Sequence, residues 1–336
     1  MTSKTDERTS WVSSGDAMTS TVLVTGAAGY VGRAVCEAAS SQGSDVVALV
    51  RAPGLPAANH PRVRVIVVDW NDQQSLLNAV ADVTPDSIIH CAGLPGIPEC
   101  TATQLYESNV AAVWRLLDGV SAVGLDPTIV LVSSAAVYGA SGARPIPEVQ
   151  TPAPVGHYGW SKLIAEQVGM AFRTSAGLHV MYARPFNITG LDERAGSVVS
   201  RIATQLRHAP RGERMTVRVW EDKSVRDFVD VRDVACALLR IAERGVPGSA
   251  YNVCTGVGTS VRELIESACT LAGCSPEVII ERPDAVPTVS VGDPRALEEL
   301  GWCPAFDLHE SLRSVMQSAE DLPGAGAPER GMNPLS

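Results

Sequence analysis

From residue 21 to residue 183, short runs of β-branched residues alternate with amphipathic runs, a rhythm that few architectures accept. The β-rich runs at 21–25, 45–50, 63–68, 87–90, 128–133 and 179–183 are almost continuously apolar, so each needs cover on both faces. Runs with helical spacing at 31–42, 73–81, 103–123 and 158–174 fill most of the gaps. Strand and helix in alternation predict a parallel, doubly wound α/β sheet. After Arg184 and Pro185 the rhythm breaks into a helix near 197–207, strands around 215–220 and helices at 261–272 and 307–316. We therefore expect a large domain of residues 21–186, to which 227–254 return, with 228–243 read as rejoining its sheet. Residues 187–226 and 255–321 are expected to form a smaller C-terminal α/β substrate domain.

Both ends of the sequence read differently. Residues 1–20 are rich in Ser and Thr, carry mixed charge and lack the apolar stretch of a signal or anchor. They are expected to be a disordered extension, with Met18 as an alternative start. Residues 322–336, rich in Pro and Gly, are expected to be a disordered tail. No stretch reaches the roughly 20 apolar residues that would span a membrane. The net charge of -10 argues against nucleic acid as a partner. Eight cysteines are scattered without a CxxC pair or zinc spacing, and read as reduced core residues of a cytoplasmic protein. Six histidines stand apart from one another, so no metal site is expected.

The turn after the first β-rich run carries Gly26, Ala28, Gly29, Tyr30 and Val31, with Gly32 completing a GxxGxxG spacing. Glycines let the backbone turn tightly and approach a pyrophosphate held at a helix N-terminus. A dinucleotide site is the expected use of this strand-turn-helix. The second strand usually selects the cofactor, because an acid at its end holds the ribose 2′-OH of NAD while an arginine accommodates the 2′-phosphate of NADP. Here Arg51 follows Val50 and no acid is in place, which points to NADP, with NAD the alternative. Asp69 and Trp70 end the third strand and Cys91, Ala92 and Gly93 follow the fourth, so both stretches would line the same cleft. Helix caps and turns are the competing reading of each.

Tyr158 and Lys162 stand four residues apart at the start of an amphipathic run, on one helix face. A nearby cation favours phenolate, so such a tyrosine can exchange protons near neutral pH. Ser134, just past the fifth strand, brings a hydroxyl to the same rim, where it can bond an oxygen whose charge changes during hydride transfer.

The glycine turn, the run 133–139 with Ser134, the Tyr158 to Lys162 stretch, Arg184-Pro185-Phe186-Asn187 and the run 226–234 together resemble the extended short-chain dehydrogenase/reductase family, in order along the chain. The resemblance implies a Rossmann domain with NAD(P) and a C-terminal domain that binds a nucleotide sugar. It implies that Tyr158 is the acid/base, that Lys162 lowers its pKa and holds the nicotinamide ribose, and that Ser134 orients the reacting oxygen. It places Asn187, Arg226 and Arg282 at the nucleotide diphosphate of the substrate, although Arg226 beside Asp227 also reads as a surface ion pair. It implies a homodimer through the helices at 103–123 and 158–174. Dehydratases of this kind carry an acid pair where this chain has Ala135 and Ala136, so elimination chemistry is not expected. The C-terminal half looks most like reductases of 4-keto-6-deoxy nucleotide sugars. The expectation is an NADPH-dependent ketoreductase of a nucleotide-linked 4-keto hexose. An NAD-dependent nucleotide sugar 4-epimerase, a reductase of a non-sugar carbonyl and a catalytically silent NADP-binding sensor stand as alternatives.

Overall fold

The structure is a computed structural model and describes residues 20–53, 60–139, 145–193 and 196–321. The disorder expected of residues 1–20 and 322–336 falls outside the described residues except at Ser20, whose carbonyl accepts from the Asp45 N–H at 3.0 Å. The first half runs β1 (Thr21–Thr25), α1 (Tyr30–Ser41), β2 (Asp45–Val50), β3 (Val63–Val67), α2 (Gln73–Val83), β4 (Ser87–His90), α3 (Ala102–Tyr106), α4 (Ala112–Val123), β5 (Thr128–Val132), α5 (Gly156–Ala176) and β6 (His179–Pro185). It continues through β7 (Asn187–Thr189), α6 (Val198–Leu206), β8 (Arg214–Val219), β9 (Val225–Asp230), α7 (Val231–Arg244) and β10 (Ala250–Val253). The last part is β11 (Gly258–Ser260), α8 (Val261–Ala272), β12 (Ser275–Ile280), β13 (Val289–Ser290), α9 (Arg295–Glu298) and α10 (Leu308–Asp321).

The main sheet has the order β10-β6-β5-β4-β1-β2-β3, and every pairing in it is parallel. This is the doubly wound Rossmann architecture. Its inner strands are covered on both sides, as their unbroken runs require, but β3, expected to be buried as well, lies at the sheet edge with Arg64, Val65 and Val67 exposed. One face carries Val24, Ala48, Ile89 and Val130 against α1 and α7; the other carries Leu23, Leu49, Ile88 and Ile129 against α2, α4 and α5. Burying each Leu or Ile of these layers stabilises the fold by about 1.5–3 kcal/mol before entropy is counted. Registers Thr25↔Leu49, Thr25↔His90 and His90↔Leu131 bring the carboxyl ends of β1, β2, β4 and β5 to one rim. Among the described residues, no helix is long and apolar enough to cross a membrane.

The second part holds a small sheet in which β9 lies between β11 and β13 and also pairs with β7, and a parallel pair of β8 with β12. Its core joins Ile202 and Leu206 of α6, Leu264 and Ala268 of α8, and Leu312 of α10. Of residues 228–243, Phe228 belongs to this second core, whereas α7 turns back onto α1 and β10 rejoins β6. Asp230 makes the switch by capping α7, its Oδ1 accepting from the Arg232 N–H at 2.9 Å.

The helix read over 103–123 runs without a gap from Ala102 to Val123, with a π-helical turn at Glu107–Ala111 that the apolar pattern does not mark. The reading of the cysteines needs correction. All eight cysteines are free, but Cys236 and Cys303 are exposed rather than core residues. Cys236 sits on the outer face of α7, and Cys303 follows the buried Trp302 into a loop.

Candidate active site

The glycine turn backs directly onto the end of β4. Gly26 has φ +64, and a Cβ there would stand 2.6 Å from the Ala92 nitrogen, so the two stretches form one wall. Helix α1 then starts with no side chain capping its N-terminus and no acid in its first turn, which suits an anionic pyrophosphate. Gly26, Ala28 and Gly29 contribute backbone to this wall. Tyr30 is half-buried with its hydroxyl turned inward; burial, then Glu193, Asp230 and Asp192, push that hydroxyl far above the ordinary value. Val31 packs into the main core. Arg51 stands exposed at the end of β2, the strand beside the turn.

The other cleft residues divide. Asp69 Oδ1 accepts from the Asn71 N–H at 2.9 Å, making a local turn before α2, while Trp70 is half-buried with its ring 6.0 Å from that of His90. His90 is buried, bonded through Nδ1 to Thr25 Oγ1 at 2.8 Å, and burial lowers its pKa to about 3. Cys91 and Ala92 lie on the rim. The small size of Gly93 is required by a neighbour inside the protein, since a Cβ there would meet Asn109 Oδ1 at 2.7 Å.

Ser134, Tyr158 and Lys162 come together at the carboxyl end of β5. Ser134 opens a 3₁₀ turn over Ala135–Tyr138, its Oγ accepting from the Ala136 N–H at 3.1 Å. The Tyr158 phenol is raised above its ordinary pKa by burial, and its hydrogen bond with Ser134 pulls the other way. Lys162, one turn along α5, directs Nζ to the Val132 carbonyl at 2.9 Å. Burial lowers its pKa to about 8, against the raising effect of Cys91 and Glu166. The hydrogen bond with Ser134 is the influence that favours the Tyr158 phenolate here.

Asn109 is a site residue that sequence reasoning passed over. It lies on the π-helical turn, almost wholly buried; its Oδ1 accepts from the Leu94 N–H at 2.8 Å and its Nδ2 donates to the Leu94 carbonyl at 3.2 Å and to Ser161 Oγ at 2.9 Å. Ser161 in turn donates to the Tyr158 carbonyl at 2.8 Å. The only sequence signal was a polar residue inside an otherwise buried helical stripe. Glu166, four residues after Lys162, accepts from Ser133 and pairs with Arg184. Arg184 also donates to Tyr138 OH at 2.9 Å, and Tyr138 to Asn252 Oδ1 at 2.7 Å, so one polar chain runs from the catalytic rim to β10.

Of the three residues assigned to the substrate diphosphate, two are adjacent. Asn187 donates to the Asp227 carbonyl at 3.2 Å, placing it beside β9, which carries Arg226. The Arg226 guanidinium donates to Thr288 Oγ1 at 2.7 Å and to the carbonyls of Thr288 at 2.9 Å and Val225 at 3.0 Å. These hydrogen-bond partners are neutral, and the Glu221 carboxylate lies near enough to act on Arg226 as well. The surface-pair reading of Arg226 with Asp227 does not hold, because Asp227 is buried and accepts from Thr255, Gly256 and Gly292. Arg282 is exposed after β12 and lies 4.9 Å above the Trp220 ring, which Arg201 also faces at 4.7 Å.

The geometry agrees with what the chain is similar to. The sequence profile of the NAD dependent epimerase/dehydratase family matches residues 22–254. The chain is 32% identical over 245 residues to GDP-6-deoxy-D-mannose reductase of Pseudomonas aeruginosa, covering 70% of this chain and 81% of that one. It is 31% identical over 323 residues to UDP-glucose 4-epimerase of Azospirillum brasilense, covering 89% and 90%. The solved structure of RMD from Pseudomonas aeruginosa complexed with NADPH superposes with a TM-score of 0.78 at 29% identity, over 90% of this chain and 99% of that one. With the glycine turn, the parallel sheet and the Ser134, Tyr158, Lys162 constellation in place, the chain belongs to the NAD dependent epimerase/dehydratase family and is an NAD(P)-dependent enzyme of the extended short-chain dehydrogenase/reductase type.

Proposed function

We propose that the protein is an NADPH-dependent ketoreductase acting on a nucleotide-linked 4-keto-(6-deoxy)hexose. The observation that carries this reading is Arg51 at the end of β2, where an NAD-selective acid would otherwise stand. A net reductase exchanges its cofactor each turnover, and the arginine favours the phosphorylated form. The similarity to a GDP-6-deoxy-D-mannose reductase supports the substrate class. Arg226, whose guanidinium donates to neutral oxygens with the Glu221 carboxylate near it, is compatible with a diphosphate partner, since guanidinium forks match phosphate oxygens. Asn187 beside it and Arg282 by Trp220 extend the same surface.

In this reading the backbone of Gly26, Ala28 and Gly29 and the start of α1 hold the pyrophosphate, and Arg51 the 2′-phosphate. When bound, the nicotinamide supplies a hydride to the sugar carbonyl carbon. Tyr158 gives its hydroxyl proton to the carbonyl oxygen, and Ser134 donates to the same oxygen as negative charge develops there. Lys162 then stabilises the phenolate until a proton returns from water. Ala135 and Ala136 put no carboxylate beside Ser134, which speaks against elimination of water. Exposed Trp114 on α4 and Trp160 on α5 support pairing of two copies through these helices.

The similarity to UDP-glucose 4-epimerase over most of the chain favours one second reading, an NAD-dependent nucleotide sugar 4-epimerase. Release and identification of nucleotide from purified protein, followed by titration of the emptied protein with NADPH and NADH, separates the two. An empty site preferring NADPH supports the ketoreductase, and tightly retained NAD overturns it.

A further inference from the structure

The loop from β4 to α3 lies across the ring of Tyr158. At Gly96 the approach is so close that a Cβ would stand 2.7 Å from Tyr158 Cγ, 2.8 Å from Cδ1 and 2.9 Å from Cβ. Carbon atoms in good contact stand about 3.5–4.0 Å apart, so only hydrogen fits between backbone and ring. Gly96 does not have a positive φ, so contact rather than backbone strain is what demands glycine here.

The loop cannot back away cheaply. Two residues earlier, Asn109 holds both the N–H and the carbonyl of Leu94. Beyond Gly96 the loop is tightened by the Cys100 N–H donating to the Ile97 carbonyl at 3.0 Å. Ile97 Cγ2 stands 3.8 Å from where a Cβ on Gly196 would be, so the loop also reaches the segment before α6. Tyr158 is fixed from behind by the same residue, through Ser161 to its own carbonyl. Asn109 therefore ties down both surfaces that meet at Gly96.

We infer that Gly96 is a positioning residue for Tyr158: its bare backbone lets the loop press the ring into one orientation and keep water from its face. The inference rests on the reading of Tyr158 as proton donor. Tyr158 is half-buried, and burial is the main influence on its phenol with Ser134 the second, so the face the loop covers bears on the titration of the hydroxyl. Ionisable groups on the elements around the ring are Lys162 and His157 on α5, Tyr106 on α3, and Cys91 and Glu99 on the loop.

The test is carbon-13 NMR of the full-length protein labelled at tyrosine Cζ, titrated from pH 6 to 11, with Tyr158→Phe assigning the resonance. Tyr158 of the wild type should stay protonated above the ordinary value of about 10. In Gly96→Ala the displaced loop should admit water, the resonance should titrate at lower pH, and kcat should fall about tenfold with KM within about threefold. Gly119→Ala on α4, where a Cβ would meet Leu77 at an ordinary 3.8 Å, should match the wild type in all three. Ile97→Ala loosens the loop without adding an atom and should lower the Tyr158 titration by a smaller amount, which keeps the test decisive if Gly96→Ala does not fold. Wild-type titration and kcat in Gly96→Ala, or in Ile97→Ala when the first variant is unfolded, would overturn the inference. If Tyr158→Phe retains turnover, the donor reading falls instead, and the titration difference still decides whether Gly96 seals the ring.

Discussion

Glu166 and Arg184 meet through two parallel hydrogen bonds, Nε to Oε1 at 3.0 Å and Nη2 to Oε2 at 2.7 Å, with both side chains buried. Removing one partner strands the other charge in a poorly solvated place. Glu166→Ala should therefore destabilise the fold by about 3–5 kcal/mol, read by urea unfolding. A double replacement, Glu166→Leu with Arg184→Met, should cost clearly less, because neither charge is left alone.

Tyr158→Phe should abolish turnover while leaving NADPH affinity nearly unchanged, checked by steady-state rates and fluorescence titration. Near-normal turnover would remove Tyr158 from the chemistry.

Lys162 supplies a pH limit. Burial lowers its pKa to about 8, so the ammonium is present below that value and lost above it. Activity should fall as pH rises through about 8. Glu166 raises the Lys162 pKa, so Glu166→Gln should move this fall to lower pH in a kcat/KM profile. An unmoved limb would assign it to another group.

Arg226→Ala should raise KM for the nucleotide-linked substrate about tenfold or more while changing kcat little, since it removes charged hydrogen bonds present before and during reaction. Arg51→Ala should weaken NADPH more than NADH, and equal losses would undo the cofactor argument.

Glu193 accepts from Thr189 and Ser197 near the carboxylate of Asp230, and burial raises its pKa to about 7. The folded protein then holds a proton that the unfolded chain has released, between about pH 4.5 and pH 7. Stability should fall across that window as pH rises, by up to about 3 kcal/mol. Glu193→Gln should flatten the fall in a series of melting curves, with little effect at pH 4.

Six of the seven strands of the main sheet were legible as β-branched runs bounded by turn residues, whereas β10, short and carrying Asn252, has no such pattern, and β3 proved an exposed edge. Ser134, Tyr158 and Lys162 were legible because they sit at strand ends and at helical spacing. Short strands such as β7, β11 and β13 were not, because they exist only by pairing with β9 or its neighbours, and no local pattern marks them. Asn109 was hidden by the π-helical turn, which shifts a polar side chain inward without disturbing the apolar stripe around it. Gly96 was hidden because its partner is 62 positions away, so its surroundings in the chain read only as a Pro- and Gly-rich loop.

The main sheet takes its last strand from β10, added to β6 only after β7, α6, β8, β9 and α7 have been threaded through the second core. On the ribosome, β6 therefore emerges with an open edge and waits for its partner while residues 186–249 are made, several seconds at roughly 5–20 residues per second. An unpaired edge of this kind is a template for association with other nascent chains. The order of the strands thus leaves the β6 edge of this enzyme open from the time β6 is made until β10 is made.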